Sequence, residues 1–132
     1  MQGLLLPVGD DVYAIETAAV REVVAAPELA SLPTAPASVL GVFNLRGEIV
    51  PVFDLAALLG LGSTGDAVFV AVVDTSMGPA GLALTGAART AELGEPIASS
   101  DTPGTLATYS IGQQLAVLID VASLLVPARV GS

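Results

Sequence analysis

Residues 41–55 read GVFNLRGEIVPVFDL, and they carry most of the information on how this chain folds. Two largely apolar runs flank the tripeptide Arg46-Gly47-Glu48, which is the pattern of a β-hairpin with a short turn. Gly47 is suited to the positive φ that such a turn requires. Asp54 follows the second run and can accept hydrogen bonds from the amides that open a helix. The stretch therefore predicts a strand, a tight turn, a second strand and a short capped helix.

The rest of the chain repeats this alternation of short apolar runs with Gly, Asp and Pro, which is typical of an all-β protein. The four predicted hairpins join residues 4–8 to 12–15, 41–45 to 49–53, 68–73 to 81–84 and 106–111 to 115–119. The turn of the third hairpin is predicted to be loose. Segments 25–37 and 94–104 are rich in Pro, Ser, Ala and Gly, so they are predicted to be loops.

A faint internal duplication relates the two halves of the chain. Residues 43–59 (FNLRGEIVPVFDLAALL) align without a gap with residues 109–125 (YSIGQQLAVLIDVASLL), 66 positions later. Asp54 and Asp120 coincide, and both are predicted to cap short helices. Two buried hairpins could resemble each other by chance in so apolar a chain. The coincident aspartates and the matched order of elements favour true pseudo-symmetry.

The size of the halves predicts how they associate. A half of about 60 residues has only a marginal core of its own. Two small five-stranded barrels that share an apolar interface would remove this difficulty and would also leave no exposed sheet edges. We therefore expect residues 1–132 to form one domain with pseudo-repeats over roughly residues 4–59 and 67–125.

The composition excludes several classes of partner and location. Hydrophobic residues make up 53% of the chain, and the net charge is −9 with four Arg and no Lys. The four Arg are scattered, so neither nucleic acid nor anionic lipid is an expected partner. The longest strongly apolar run, residues 67–73, is too short to cross a bilayer, and no basic segment precedes an apolar one at the N-terminus. A cytoplasmic protein without direct membrane insertion is expected.

The absence of Cys, His and Lys argues against catalysis. It removes thiol nucleophiles, imidazole bases, Schiff-base lysines and soft-metal ligands, so no cofactor or metal is expected. One enzymatic alternative is a carboxylate-dependent hydrolase, because Asp74-Thr75 and Asp101-Thr102 are similar to the paired motifs of aspartic proteases. The two dipeptides are not equivalent in the repeat, and Pro103 follows the second where a small residue is needed. A non-enzymatic protein is the favoured interpretation.

The stretch at residues 41–55 resembles the signature of CheW-like domains, G-hydrophobic-x-N-L-R-G-x-hydrophobic-x-P-hydrophobic-hydrophobic-D-L, at every fixed position. The resemblance extends over essentially the whole chain. The opening hairpin at residues 6–15, the VREV segment at 20–23, the LPTAP loop at 32–36 and the final hairpin and helix at 109–125 are all similar to family segments.

This resemblance implies a fold of two intertwined SH3-like five-stranded barrels related by a pseudo-twofold axis. It also implies a non-catalytic adaptor that couples chemoreceptors to a CheA-type histidine kinase. The implied partners are the regulatory domain of the kinase and the cytoplasmic tip of a receptor. The pathway stays open between flagellar chemotaxis, twitching motility and gene regulation.

The same resemblance points to partner-binding residues. Arg46 corresponds to an arginine on the functional surface of the family, and Glu22 is its candidate ion-pair partner. Asn44 could bond either the turn backbone or a partner. Val20 and Ala87 are expected near the junction of the barrels, where the family receives the helical receptor tip. The alternative for Val20 and Ala87 is ordinary barrel core.

Overall fold

The computed structural model describes residues 1–63 and 65–125. They form eleven strands, two four-residue helices and one turn of 3₁₀ helix at Thr17–Ala19. The strands are β1 (Gln2–Val8), β2 (Asp11–Glu16), β3 (Val20–Ala25), β4 (Val39–Leu45), β5 (Glu48–Phe53), β6 (Phe69–Thr75), β7 (Gly78–Leu84), β8 (Arg89–Glu92), β9 (Ala98–Ser99), β10 (Thr105–Ile111) and β11 (Gln114–Ile119). Helix α1 (Leu55–Leu58) follows β5, and α2 (Val121–Leu124) follows β11. Within the described ranges, no helix has the length and apolarity needed to cross a membrane.

The strands form two sheets, which confirms the predicted all-β class. The first sheet has the order β3-β6-β7-β5-β4, and the second has the order β8-β1-β2-β11-β10-β9. In the other half of the chain, the counterparts of β3, β6, β7, β5 and β4 are β8, β1, β2, β11 and β10. These are the first five strands of the second sheet, in the same order. Each sheet contains strands from both halves, so the two sheets are intertwined.

The first sheet closes through the chain segment that follows β3. The amide of Ala30 donates to the carbonyl of Val42 at 2.8 Å, and the amide of Val42 donates to the carbonyl of Ala30 at 2.9 Å. The chain that leaves β3 at one edge of the sheet thereby pairs with β4 at the opposite edge. A sheet joined at its two edges is a barrel, and we call this one the first barrel.

The second sheet closes in the equivalent way. Strands β8 and β9 lie at opposite edges, yet only residues 93–97 separate them. That connection reaches at most about 21 Å, whereas the edges of a flat six-stranded sheet would be about 24 Å apart. The sheet must curl into a second barrel. Ala98 pairs with Thr108 as Ala30 pairs with Val42, so β9 corresponds to the closing segment of the first barrel. The sequence predicts a loop where β9 lies.

Matched β-bulges show that the repeat extends to local geometry. The register between β4 and β5 shifts at Leu40, and the register between β10 and β11 shifts at Leu106. These two residues are 66 positions apart in the chain. A bulge bends its strand and increases the local twist, so both hairpins are bent at the same point as they enter their barrels.

The main hydrophobic core lies between the barrels. It joins buried side chains of the second sheet, such as Leu6 and Ile15, to side chains of the first sheet, such as Leu82. Leu55 and Leu124 from the two helices complete it. Each barrel has only a small separate cluster of its own. Full burial of one such aliphatic side chain contributes roughly 1.5–3 kcal/mol. More of the clustered buried apolar side chains belong to this shared core than to the two separate clusters.

The two predicted helix caps differ. The Asp54 carboxylate accepts from the amides of Ala56 and Ala57 at 3.1 and 3.4 Å, so its predicted role is confirmed. Asp120 occupies the equivalent position before α2, but its side chain makes no capping bond, and the prediction for Asp120 is wrong. Asp54 is buried and must find protein donors, whereas Asp120 is half-buried at a cleft where water can hydrate its carboxylate.

The turn between β6 and β7 is tighter than the sequence predicts. The hydroxyl of Thr75 donates to the carbonyl of Gly78 at 2.7 Å and accepts from the amide of Met77 at 3.1 Å. These bonds satisfy turn groups that would otherwise need water. The strands therefore continue to Thr75 and restart at Gly78, leaving a two-residue connection.

Candidate functional site

The turn between β4 and β5 is built around two residues in the left-handed conformation. The φ of Arg46 is +52° and that of Gly47 is +91°. Positive φ at both central residues is the signature of a type I′ turn, which matches the twist of a hairpin. The amide of Gly47 donates to Oδ1 of Asn44 at 2.9 Å. Gly47 therefore has the predicted turn geometry, and Asn44 bonds the turn backbone.

Arg46 makes a bidentate ion pair with Glu22 on β3. Nη1 of Arg46 lies 2.7 Å from Oε2 of Glu22, and Nη2 lies 2.9 Å from Oε1. The hydrogen bonds from Arg46 lower the pKa of the Glu22 carboxyl, and those to Glu22 raise the pKa of Arg46. The side chain of Glu22 is 26% exposed, whereas that of Arg46 is 70% exposed. The expected pair is present, and it fixes the direction of an arginine that still faces solvent.

A second ionic cluster, which the sequence reasoning missed, lies beside this pair. Arg21 forms a fork with both carboxylate oxygens of Asp74. Its Nη1 also lies 3.0 Å from Oε1 of Glu48, the residue after the turn glycine. We call the five residues of the two clusters the charged rim: Arg21, Glu22, Arg46, Glu48 and Asp74. The rim brings together side chains from β3, β5, β6 and the β4–β5 turn at one end of the first barrel.

The equivalent end of the second barrel lacks most of these charges. Gly112, with a φ of +63°, occupies the position of Arg46. Residues 17–21 align with residues 85–89 at an offset of 68 positions, so Arg89 is the counterpart of Arg21. The Nη2 of Arg89 bonds the neutral side-chain oxygen of Gln114 at 3.1 Å. A left-handed conformation is free of steric cost for glycine but not for arginine. The first barrel thus has an arginine at a position where the second barrel has glycine.

Apolar side chains are exposed beside the charged rim. Ile49 lies directly across the β4–β5 ladder from Asn44 and is 61% exposed. Val23 follows Glu22 on β3, and Met77 lies at the adjacent β6–β7 turn; both are exposed. Arginine and methionine are among the residue types that are enriched at protein–protein interfaces.

The structure places Val20 and Ala87 differently from each other. Val20 is half-buried and packs against the core between the barrels. Ala87 is exposed in the connection between β7 and β8, while its neighbour Ala88 packs against the same core. By the offset of 68 positions that relates the two segments, Ala88 is the counterpart of Val20. Val20 and Ala88 are therefore the symmetric pair, and Ala87 is the more accessible residue.

A cleft of about 400 Å³ lies where β2, the β6–β7 turn and α2 meet. Its walls are mainly apolar and include Ile15, Leu106 and Val121, with Glu16, Asp74 and Asp120 among its acidic residues. Asp74 is bound by Arg21, so its carboxylate is paired with a cation.

Comparison with known proteins agrees with the fold. The family model of the CheW-like domain matches residues 2–128. The probable chemotaxis protein CheW of Rhizobium etli is 41% identical over 54 residues, which are 41% of this chain and 35% of that protein. The chemotaxis protein CheW of Rhizobium meliloti is 44% identical over a stretch with the same coverage. The chain thus matches about a third of the length of these curated relatives, 35% in each.

Among solved structures, the scaffolding protein TtCheW from Thermoanaerobacter tengcongensis is similar with a TM-score of 0.76. The alignment covers 95% of this chain and 87% of that one at 22% identity, which is a likeness of fold. The two intertwined sheets, the matched residues at 41–55 and the family model spanning nearly the whole sequence agree with one another. The chain therefore belongs to the CheW-like domain family.

Proposed function

We propose that this protein is a non-catalytic adaptor that couples bacterial chemoreceptors to a CheA-type histidine kinase. Membership of the CheW-like family supports an adaptor. The observation that carries the proposal is the turn at Arg46, where an exposed arginine is held in a left-handed backbone conformation and oriented by Glu22. An uncommon conformation at a non-glycine residue is retained where the surrounding structure and the function require it.

The charged rim suits the regulatory domain of the kinase. Because Glu22 and Asn44 already fix the arginine and its turn, little side-chain freedom remains to be lost on binding. The guanidinium presents a planar fork to carboxylates or carbonyls of a partner, and Ile49 offers apolar contact area next to it. In this proposal Arg46, Glu22 and Asn44 form the kinase-docking face.

The receptor tip is assigned to the junction of the barrels. A helix in an apolar groove is a common mode of recognition. Val20 packs against the shared core from one half of the repeat, and the exposed Ala87 lies next to Ala88, which packs against it from the other half. We expect Val20→Arg to abolish capture of a receptor-tip helical hairpin, while capture of the kinase domain through Arg46 persists. Normal receptor capture by a folded Val20→Arg protein would remove Val20 from the site.

No reaction is assigned to the chain. The carboxylate of Asp74 is held by Arg21 rather than by a second carboxyl, which argues against a proton-sharing aspartyl pair. An adaptor of this kind requires neither cofactor nor metal, and it acts in the cytoplasm without binding nucleic acid or inserting into the membrane. The same docking serves flagellar chemotaxis, twitching motility or gene regulation, and the receptors that co-purify with the protein identify the pathway.

The test compares two charge reversals of the same size. Arg46→Glu should weaken binding to the kinase regulatory domain by about thirtyfold, the range of an interface hot spot, without changing the circular dichroism spectrum. Arg89→Glu is the matched control, because Arg89 is exposed on β8 outside the charged rim. Titration calorimetry should place the control within about twofold of the wild type. Unchanged affinity of a folded Arg46→Glu protein would reject this docking face.

A further inference from the structure

Strand β3 contains a bulge at the charged rim. Val20 pairs with Val73 of β6, whereas Glu22 pairs with the preceding residue, Val72. Arg21 is therefore the extra residue of the bulge. In a regular strand neighbouring side chains point to opposite faces, but a bulge redirects one of them. Arg21 and Glu22 consequently both reach the β4–β5 hairpin although they are adjacent in the chain.

The two side chains hold the two ends of the turn separately. Glu22 binds Arg46, which precedes Gly47, and Arg21 binds Glu48, which follows it. Glu48 is about half exposed and lies only two residues from Arg46. It is the carboxylate that could compete most readily with Glu22 for the guanidinium. The fork joins the Arg21 side chain to Asp74 on β6, and the same guanidinium binds Glu48.

We propose that Arg21 is a positioning residue for the docking face: it holds Glu48 away from Arg46, so that Arg46 stays paired with Glu22 and presents its fork to the partner. The inference rests on the proposed kinase-docking function. Arg21 itself need not touch the kinase. Its effect passes through Glu48, and the repulsion between the two guanidinium groups adds to the separation of the two pairs.

The second barrel supplies an internal comparison. The counterpart of Arg21 is Arg89, but its partner is the neutral Gln114 in place of Glu48. Pro7 stands at the position that corresponds to Asp74, one residue before the end of the strand pairing in each hairpin. Gly112 replaces Arg46. Where no arginine has to be oriented, neither of the two carboxylates that engage Arg21 is present.

The test is a double-mutant cycle with a matched control. Arg21→Gln should weaken binding to the kinase regulatory domain by about three- to tenfold, the lower part of the range for coupled neighbours. Adding Glu48→Gln, which removes the competing carboxylate, should restore affinity to within about twofold of the wild type. Arg89→Gln, which makes the same change in the second barrel, should leave affinity unchanged.

Two outcomes would overturn the proposal. If Arg21→Gln binds normally while Arg46→Glu does not, the kinase docks at Arg46 without help from Arg21. If Arg21→Gln binds weakly and Glu48→Gln fails to rescue it, Arg21 either contacts the kinase directly or supports the fold in another way.

A readout without the kinase separates this proposal from the proposed function. Carboxyl NMR should show that Arg21→Gln raises the pKa of Glu22 more in the wild-type background than in the Glu48→Gln background. Loss of the Arg21 charge raises the pKa of Glu22 directly in both backgrounds. Only the difference between the two pKa shifts therefore reports on capture of Arg46 by Glu48. Equal shifts would refute the positioning role even if Arg46 proves essential for docking.

Discussion

The aspartates that precede the two helices allow a sharp test of the structure, because they occupy equivalent positions of the repeat but make different bonds. Asp54 accepts from two amides and is 2% exposed. Asp120 makes no capping bond with its side chain. We predict that Asp54→Ala destabilises the protein substantially and that Asp120→Ala has little effect. The two substitutions are otherwise matched, since each removes one carboxylate and the two positions correspond at the repeat offset of 66.

The expected size follows from the bonds that are lost. Removal of an N-cap costs about 0.5–2 kcal/mol, and a buried amide left without an acceptor costs about 1–3 kcal/mol. These figures describe overlapping losses, so we expect about 2 kcal/mol for Asp54→Ala. At about 2.1 cal/mol/K of unfolding entropy per residue, this corresponds to a fall in Tm of about 7 °C for a chain of this length. Asp120→Ala should cost less than about 0.5 kcal/mol, or about 2 °C.

Thermal unfolding followed by circular dichroism measures both changes under the same conditions. Asp54→Asn is the matched control, because asparagine is an equally good N-cap and retains a side-chain oxygen; it should keep most of the wild-type Tm. Equal falls in Tm for Asp54→Ala and Asp120→Ala would show that the two helices are capped alike, and the difference between them described above would then be refuted.

Two further predictions concern the charged rim and the packing of the first barrel. Arg46 holds the pKa of Glu22 below its ordinary value of 4.5, so the contribution of the pair to stability is present above about pH 4.5 and is lost as the pH falls through the lower folded-state pKa. Arg46→Gln should therefore raise the pKa of Glu22 in a carboxyl NMR titration, and an unchanged value would contradict the ion pair. At Gly81, an added Cβ would lie 2.6 Å from Cγ1 of Val70 and 3.3 Å from Cγ2 of Val52. Gly81→Ala should cost about 1–3 kcal/mol in urea unfolding through overpacking; an unshifted midpoint would show that the barrel can yield there.

Elements set by local sequence could be predicted, because alternation and turn residues act over a few positions. The hairpin with its turn at Arg46 and Gly47 has this origin, as does the cap at Asp54. The ion pair between Arg46 and Glu22 depended on the family resemblance, since the two residues are 24 positions apart and no local pattern joins them.

The Arg21 cluster was missed because it depends on a bulge. In a regular strand Arg21 and Glu22 would face opposite sides, so the sequence gives no reason to place both at the rim. The bulge becomes visible only when the pairing of β3 with β6 is known. The closing pairs at Ala30 and Ala98 escaped prediction for a related reason: a ladder of only one or two residue pairs leaves no periodic signal in a loop.

The exchange of strands between the halves has a consequence for how this architecture could have arisen and how it can be cut. Neither half of the chain contains all the strands of one sheet. Strands β1 and β2 of the first half lie between β8 and β11 of the second half, and β6 and β7 of the second half lie between β3 and β5 of the first half. A protease nick between α1 and β6 would therefore yield two fragments that hold each other folded. By the same geometry, two copies of a half-length ancestor could have formed both barrels as a homodimer that exchanged strands. After gene fusion the two copies could diverge, so that one has Arg46 and the other has Gly112 at the equivalent position.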